Sequence, residues 1–180
     1  MTASLRSRLP YAGVLAAVVV LDQVTKAIVD RFLILHDAHP VIEGLVDLTH
    51  VRNRGGAFGV LNTADIPYKE ELFAALSLVA LVAIGIYAWW LPASHRLSRS
   101  ALALILGGAV GNLIDRLRLG YVVDFIDVFW RNHHWPAFNA ADSAITIGIA
   151  LLVVDMLRKP DEAASSHSSL EAAQPQGRTD

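Results

Sequence analysis

Two aspartates stand among residues that do not suit a charge. Asp124 lies in GYVVDFIDV, between Val122, Val123, Phe125 and Ile126, and Asp142 lies in FNAADSAITIG. Taking water away from a carboxylate disfavours its charged form, so a group placed like Asp124 is suited to exchanging protons near neutral pH. Asp127, three residues on, reads as a solvated neighbour. Asp142 also has a structural reading, because Asp at a helix start caps exposed N–H groups and meets the positive end of the dipole. Brought together, the two carboxylates could not both ionise easily. One would keep a proton while the other took one from water, which is how an aspartic protease attacks a peptide carbonyl. That chemistry uses no metal and no covalent intermediate, and no cofactor is expected.

Other polar groups could hold a substrate. In GGAVGNLIDR, helical spacing puts Gly108, Asn112 and Arg116 on one face with Asp115 beside it. Gly107 and Gly111 form a small-xxx-small pair that admits a neighbouring helix. Polar side chains at membrane depth normally face a bundle interior or a wet cavity; for Arg116 the alternatives are a pair with Asp115 or a lipid headgroup. Asn53 in VRNRGGAF and Asn139, three residues before Asp142, add amides able to bind peptide carbonyls or a developing oxyanion. Asn53, just before Gly55 and Gly56, reads equally as a turn residue. Asp22 and Lys26 lie four apart with acid before base, the order of an internal helix pair. His36 with His39 and His133 with His134 lack zinc-site spacing, so no metal site is expected and they read as residues near the interface.

The elements that must position these groups follow from composition. The chain has 180 residues, 54% hydrophobic and 18% charged, with no cysteine, and a mean hydropathy of +0.44. So little polar surface cannot coat an ordinary soluble globule of this length, and much of the chain should face lipid. Absent cysteine removes disulfides, thiolate metal sites and a cysteine nucleophile. A net charge of −2 lacks the basic excess of a nucleic-acid binder. Leu72 to Leu91 carries no charge over a length that crosses about 30 Å of hydrocarbon. Further spans are expected at about 9–29, 100–117 and 139–157, the first read as a retained anchor because the apolar stretch after Arg6 and Arg8 shows no small-x-small cleavage pattern before Asp22.

If all four cross, Arg6, Arg8, Arg96, Arg99, Arg158 and Lys159 share one side, which makes both termini cytoplasmic. The connections from Asp30 to Glu71 and from Arg118 to Phe138 then lie outside, with the polar groups above. Trp89 and Trp90 on one side, and Trp130 and Trp135 on the other, read as interfacial anchors. Val41 to Val51 mixes β-branched and polar residues around a turn at Gly44, as in a small sheet resting on the membrane. Residues 1–160 form one expected domain. Residues 161–180 are polar and small, and are expected to be a disordered cytoplasmic tail.

Five blocks in order, LDQVTK from Leu21, RNRGGAF from Arg52, GGAVGNLIDR from Gly107, VVDFIDV from Val122 and FNAADSAI from Phe138, resemble the lipoprotein signal peptidase (signal peptidase II) family over about residues 9–157. The resemblance implies a bacterial inner-membrane aspartic peptidase that cuts prolipoproteins just before a diacylglyceryl-modified cysteine, its site toward the periplasmic face. It places the catalytic pair on Asp124 and Asp142. Supporting or substrate-binding positions fall on Asp22, Lys26, Asn53, Gly108, Asn112, Arg116 and Asn139. It also implies four transmembrane helices with an outer β-cradle, a short outer helix near Asp65 to Glu71, inhibition by globomycin, and contact with membrane lipid; a monomer is expected. Family members commonly have Ala-Phe-Ser where this chain has Ala57, Phe58 and Gly59, a departure that touches the substrate cradle.

Two other readings compete. A proton-coupled transporter or membrane chaperone would use the aspartates as a relay, but a relay wants ionisable groups at graded depths. A Ser/Lys peptidase would use Lys26 as base for a serine such as Ser143.

Overall fold

The computed structural model describes residues 6–55 and 66–158. Among these, four helices are long and apolar enough to cross a membrane: α1 Leu9–Phe32, α2 Lys69–Trp90, α3 Arg96–Leu119 and α4 Ala140–Arg158. Each follows the spans expected from hydropathy, with ends displaced by up to four residues. α3 starts at Arg96 instead of Ser100 because a long basic side chain can lie in the first turn and carry its charge to the interface. Pro10 sits in the first turn of α1, where its missing N–H costs nothing. α3 stops at Gly120, whose φ of 77° lets its N–H bond back to Arg116 O.

α3 is the axis of the bundle, and α1, α2 and α4 all pack on it. Small residues make this possible. A Cβ on Gly107 would run into Val18 of α1, one on Gly111 into the Asp22 carboxylate, and one on Gly108 into Ala141 O of α4. The small-xxx-small pair thus receives α1, while Gly108 receives the first turn of α4. α2 has no buried residue in its apolar stretch and exposes Leu72, Leu76, Val79, Val82 and Ile86, as a lipid-facing helix would.

A small antiparallel sheet covers one end of the bundle. β1 Ala38–Ile42 and β2 Val46–Asn53 form the hairpin expected from sequence, turning at Gly44 with φ 74°. The third strand, β3 Val122–Trp130, was not expected, and pairs with β2 so that Val51 faces Asp124 and Asn53 faces Val122. The short β4 His133–His134 extends the order to β1-β2-β3-β4. β3 hides in the sequence because its first four residues are buried on both faces, which removes the alternation that marks a half-exposed strand. Val123 and Phe125 pack there against Val29 of α1.

The short outer helix expected at Asp65 to Glu71 is not a separate element: position 65 lies outside the described residues, 66–68 form a turn, and 69–71 are the first turn of α2. The expected tail at 161–180 and the departure at Gly59 also lie outside the described residues.

Candidate active site

The antiparallel register puts Asn53 and Asp124 on one face of the sheet, diagonal to each other and within side-chain reach. Asn53 Nδ2 donates to Asp124 Oδ2 at 3.1 Å, while its Oδ1 accepts from Gly55 N at 2.9 Å. The same amide therefore makes the expected turn and also touches the Asp124 carboxylate.

Asp142 arrives from α4. The chain leaving β4 runs back along β3, with Trp135 N–H donating to Val128 O and Phe125 and Ile126 N–H groups both donating to Phe138 O. That return brings Asn139 against Asp124 and starts α4 there. Asn139 and Asp142 form a reciprocal cap: Asp142 N–H donates to Asn139 Oδ1 at 3.0 Å, and Asn139 N–H donates to Asp142 Oδ2 at 3.3 Å. Asp142 is thus a helix-start residue, and it stands near Asp124 at the same time. Asn139, wholly buried, also donates from Nδ2 to Asp124 Oδ1 at 2.7 Å, so one residue holds both aspartates.

The fourth carboxylate oxygen, Asp142 Oδ1, accepts from Asn112 Nδ2 at 2.8 Å. Four amide donors therefore cover the four oxygens of the two aspartates. Burial first, and then the charge of Asp142, push the Asp124 carboxyl from its usual 3.8 up to about 7, against the opposing pull of its hydrogen bonds to Asn53 and Asn139.

Asn112 is oriented in turn by a buried ionic cluster. Lys26 Nζ donates to Asn112 Oδ1 at 2.7 Å and pairs with Asp22 at 2.9 Å and Asp115 at 3.0 Å. The Asp22–Lys26 helix pair expected from spacing is present, but it belongs to a larger network. Asp22 Oδ1 accepts from Ala141 N–H at 3.0 Å, so a residue of α1 caps α4. Asp115 Oδ2 accepts from Val123 N–H at 3.1 Å, which anchors β3 one residue before Asp124. Gln23 Nε2 donates to Asp115 Oδ1 at 2.9 Å and to Gly111 O at 3.2 Å.

Gln23 is not among the residues that the sequence singles out, and Asp115 is there only a possible partner of Arg116. Their part in the site had one signal: polar side chains at apolar depth, on the same faces as Lys26 and Asn112. Asp115 faces Lys26 instead of Arg116. Arg116 donates to Gly55 O at 3.3 Å and to Asn112 O at 3.5 Å. Asp127, read as a solvated neighbour, pairs with His134 at 2.8 Å on the outer part of the sheet.

Asn53, Asn112, Arg116, Asp124 and Asp142 line one cavity of about 700 Å³. Its other walls are mostly apolar, from Ile145, Ile147 and Ile149 of α4 and from Trp135 and Phe138, with Ser143 and Thr146 adding hydroxyls. Trp135, expected as an interfacial anchor, also lines the cavity.

The rival chemistries fare differently. Lys26 commits all three ammonium donors to Asp22, Asp115 and Asn112, and Ser143 Oγ donates to Asn139 O at 3.0 Å, which leaves no Ser/Lys pair. Among the described residues of the helices, no carboxylate lies at a depth between Asp22, Asp115 and Asp142 at one end and Asp155, bonded to Ser98, at the other. A graded relay has no steps there.

A family model described as Signal peptidase (SPase) II matches residues 14–158. The chain is 52% identical over 148 residues to a lipoprotein signal peptidase of Geobacter metallireducens, covering 82% of this chain and 90% of that one. It is 50% identical over 149 residues to the lipoprotein signal peptidase of Geobacter sulfurreducens, covering 83% and 92%. A solved bacterial membrane enzyme structure, obtained by the in meso method at 1.9 Å resolution, superposes with a TM-score of 0.73 at 32% identity over 84% of this chain and 94% of that one.

Proposed function

Because the chain belongs to the signal peptidase II family of lipoprotein-processing proteases, we propose that it is an aspartic endopeptidase that removes the signal peptide from diacylglyceryl-modified prolipoproteins, cutting just before the lipidated cysteine. The observation that carries the catalytic type is Asn139: its side chain holds Asp124 and its backbone N–H holds Asp142 at one cavity wall. Two carboxylates so placed share a proton more readily than they both ionise.

In the reaction we envisage, the ionised carboxylate takes a proton from one water, whose oxygen forms the new bond to the scissile carbonyl carbon. The protonated carboxyl gives its proton to the carbonyl oxygen. Collapse of the resulting diol, with protonation of the leaving nitrogen, breaks the C–N bond. The signal peptide leaves with a free carboxyl group and the lipoprotein keeps a free amino group on its modified cysteine. The pair titrates as a unit, so the roles of base and acid belong to it jointly.

Asn53, Asn112, Arg116 and Asn139 would orient the peptide and stabilise charge on the carbonyl oxygen, with Asp22, Lys26 and Gly108 holding them in place. The isoleucine wall suits an apolar signal helix and acyl chains, and the amide and guanidinium groups suit a peptide carbonyl and lipid ester. The basic residues at the far end of the bundle favour a cytoplasmic position for both termini, hence a site facing the periplasm from the inner membrane. Globomycin should inhibit, and the enzyme should act as a monomer.

The test is cleavage of a diacylglyceryl-modified prolipoprotein in detergent without added metal. Wild type should cut before the modified cysteine, and folded Asp124→Asn and Asp142→Asn variants should each be inactive. Normal cutting by either variant would remove that aspartate from the chemistry.

A further inference from the structure

The end of the bundle away from the aspartates carries a second concavity, of about 240 Å³, between α1, α2 and α3. Leu15, Gly85, Ala88, Leu102 and Leu106 give it an apolar floor. Arg8, Tyr11, Trp89 and Arg99 line it too, at the ends of their helices. Arg99 stands thirteen residues before Asn112 on α3, which is about 20 Å along a helix rising 1.5 Å per residue. The proposed reaction does not use this end.

Arg99 is an unusual arginine. It is only 7% exposed, and its guanidinium lies 5.0 Å from the Tyr11 ring centroid. Among the described residues, no carboxylate, carbonyl or hydroxyl accepts a hydrogen bond from that guanidinium. Arg8 lies 4.3 Å from the Trp89 ring centroid and gives one N–H to Trp89 O at 3.0 Å. No acidic residue stands in the first turn of α1 or α3, and among the described residues none lines the groove. A guanidinium offers five donors and cannot shed its proton, so a mostly covered one that opens onto a groove and has no protein acceptor suits an anion from outside the chain.

We propose that this groove binds one anionic phospholipid, its phosphate between Arg8 and Arg99 and an acyl chain along the Leu15, Ala88 and Leu106 floor. Free phosphate would use only the arginines and leave the apolar floor without an occupant. A lipid uses both, with Tyr11 and Trp89 at the headgroup level where amphipathic rings settle. The site does not depend on what the aspartates catalyse.

The experiment is lipid retention by the full-length protein. Wild type and variants are reconstituted in bilayer discs of dioleoylphosphatidylcholine with stepped dioleoylphosphatidylglycerol, extracted, and weighed with bound lipid by native mass spectrometry. Wild type should keep one phosphatidylglycerol in preference to phosphatidylcholine. Arg8→Gln and Arg99→Gln should each weaken that preference about fivefold, the worth of one arginine near an anionic headgroup. Arg99→Lys should keep part of it, and Ala88→Phe, which fills the floor but leaves both arginines, should lose it. Equal retention of the two lipids by wild type would overturn the proposal, as would unchanged retention in Ala88→Phe. If Arg99→Gln does not fold, Arg8→Gln and Ala88→Phe decide. Thermal stabilisation by inorganic phosphate alone, equal to that from phosphatidylglycerol, would make this an anion site instead of a lipid site.

Discussion

Lys26 Nζ sits 2.7 Å from Asn112 Oδ1, and this contact decides which way the Asn112 amide points. An ammonium only donates, so it must face the amide oxygen, which turns Nδ2 toward Asp142. Asn139 Nδ2 also donates to that oxygen at 3.1 Å, so the amide is held from two sides. A lysine of α1 thereby orients a ligand of a carboxylate on α4 without touching it.

Replacing Lys26 with Met would keep the volume but leave Asp22 and Asp115 buried without their cation. Breaking a buried ion pair in this way costs about 3–5 kcal/mol. Lys26→Met is expected to lower the midpoint of thermal unfolding in detergent and to reduce kcat, because Asn112 loses the group that orients it. A variant with wild-type stability and kcat would show that Lys26 does neither.

The raised Asp124 carboxyl has consequences for pH. Its folded value, about 7, lies above the usual 3.8, so between these limits the folded protein binds more protons than the unfolded chain. Stability from this group is therefore fully present below about pH 4 and is lost as pH rises toward 7. Unfolding followed against pH should show a steeper decline over this range in wild type than in Asp124→Asn. For the proposed reaction, kcat/KM should fall on the alkaline side with an apparent pKa near 7, where the pair loses its shared proton. A rate level through pH 9 would speak against the dyad.

Asn139 has two duties that one substitution separates in magnitude. Asn139→Ala removes a helix cap, worth about 1 kcal/mol. It also removes the donor to Asp124, for which a loss of about 10²-fold in kcat is expected, as for other positioned donors in an active site. Asn139→Asp should keep much of the cap and lose the rate, since it places a third carboxylate beside the pair. Stability and cleavage measured together on both variants test this division.

Gly108→Ala should destabilise by about 1–3 kcal/mol, because its Cβ would meet Ala141 O and push α4 away from α3. Gly13→Ala is the control: nothing lies within 4 Å of a Cβ there. Its effect should stay within about 1 kcal/mol, the scale of helix propensity. Thermal unfolding of the two variants compares them directly, and cleavage should fall with Gly108→Ala alone.

Much of this protein is legible in one dimension. Hydropathy marks the four helices, Gly44 marks the hairpin, and carboxylates and amides at membrane depth mark Asp124, Asp142, Asn112 and Asn139, because burying such groups is costly enough that few occur without a reason. The strand status of β3 was harder to see, since burial on both faces erases its alternation. What only the tertiary structure decided is who meets whom: Asp22 capping α4 at Ala141, Asp115 anchoring Val123, Lys26 orienting Asn112, Trp135 walling the cavity. Sequence separations in this network reach 119 residues. A local pattern reports the face on which a side chain lies. Its partner is set by the packing of α1 and α4 on the glycines of α3, a relation between distant segments that no local periodicity carries.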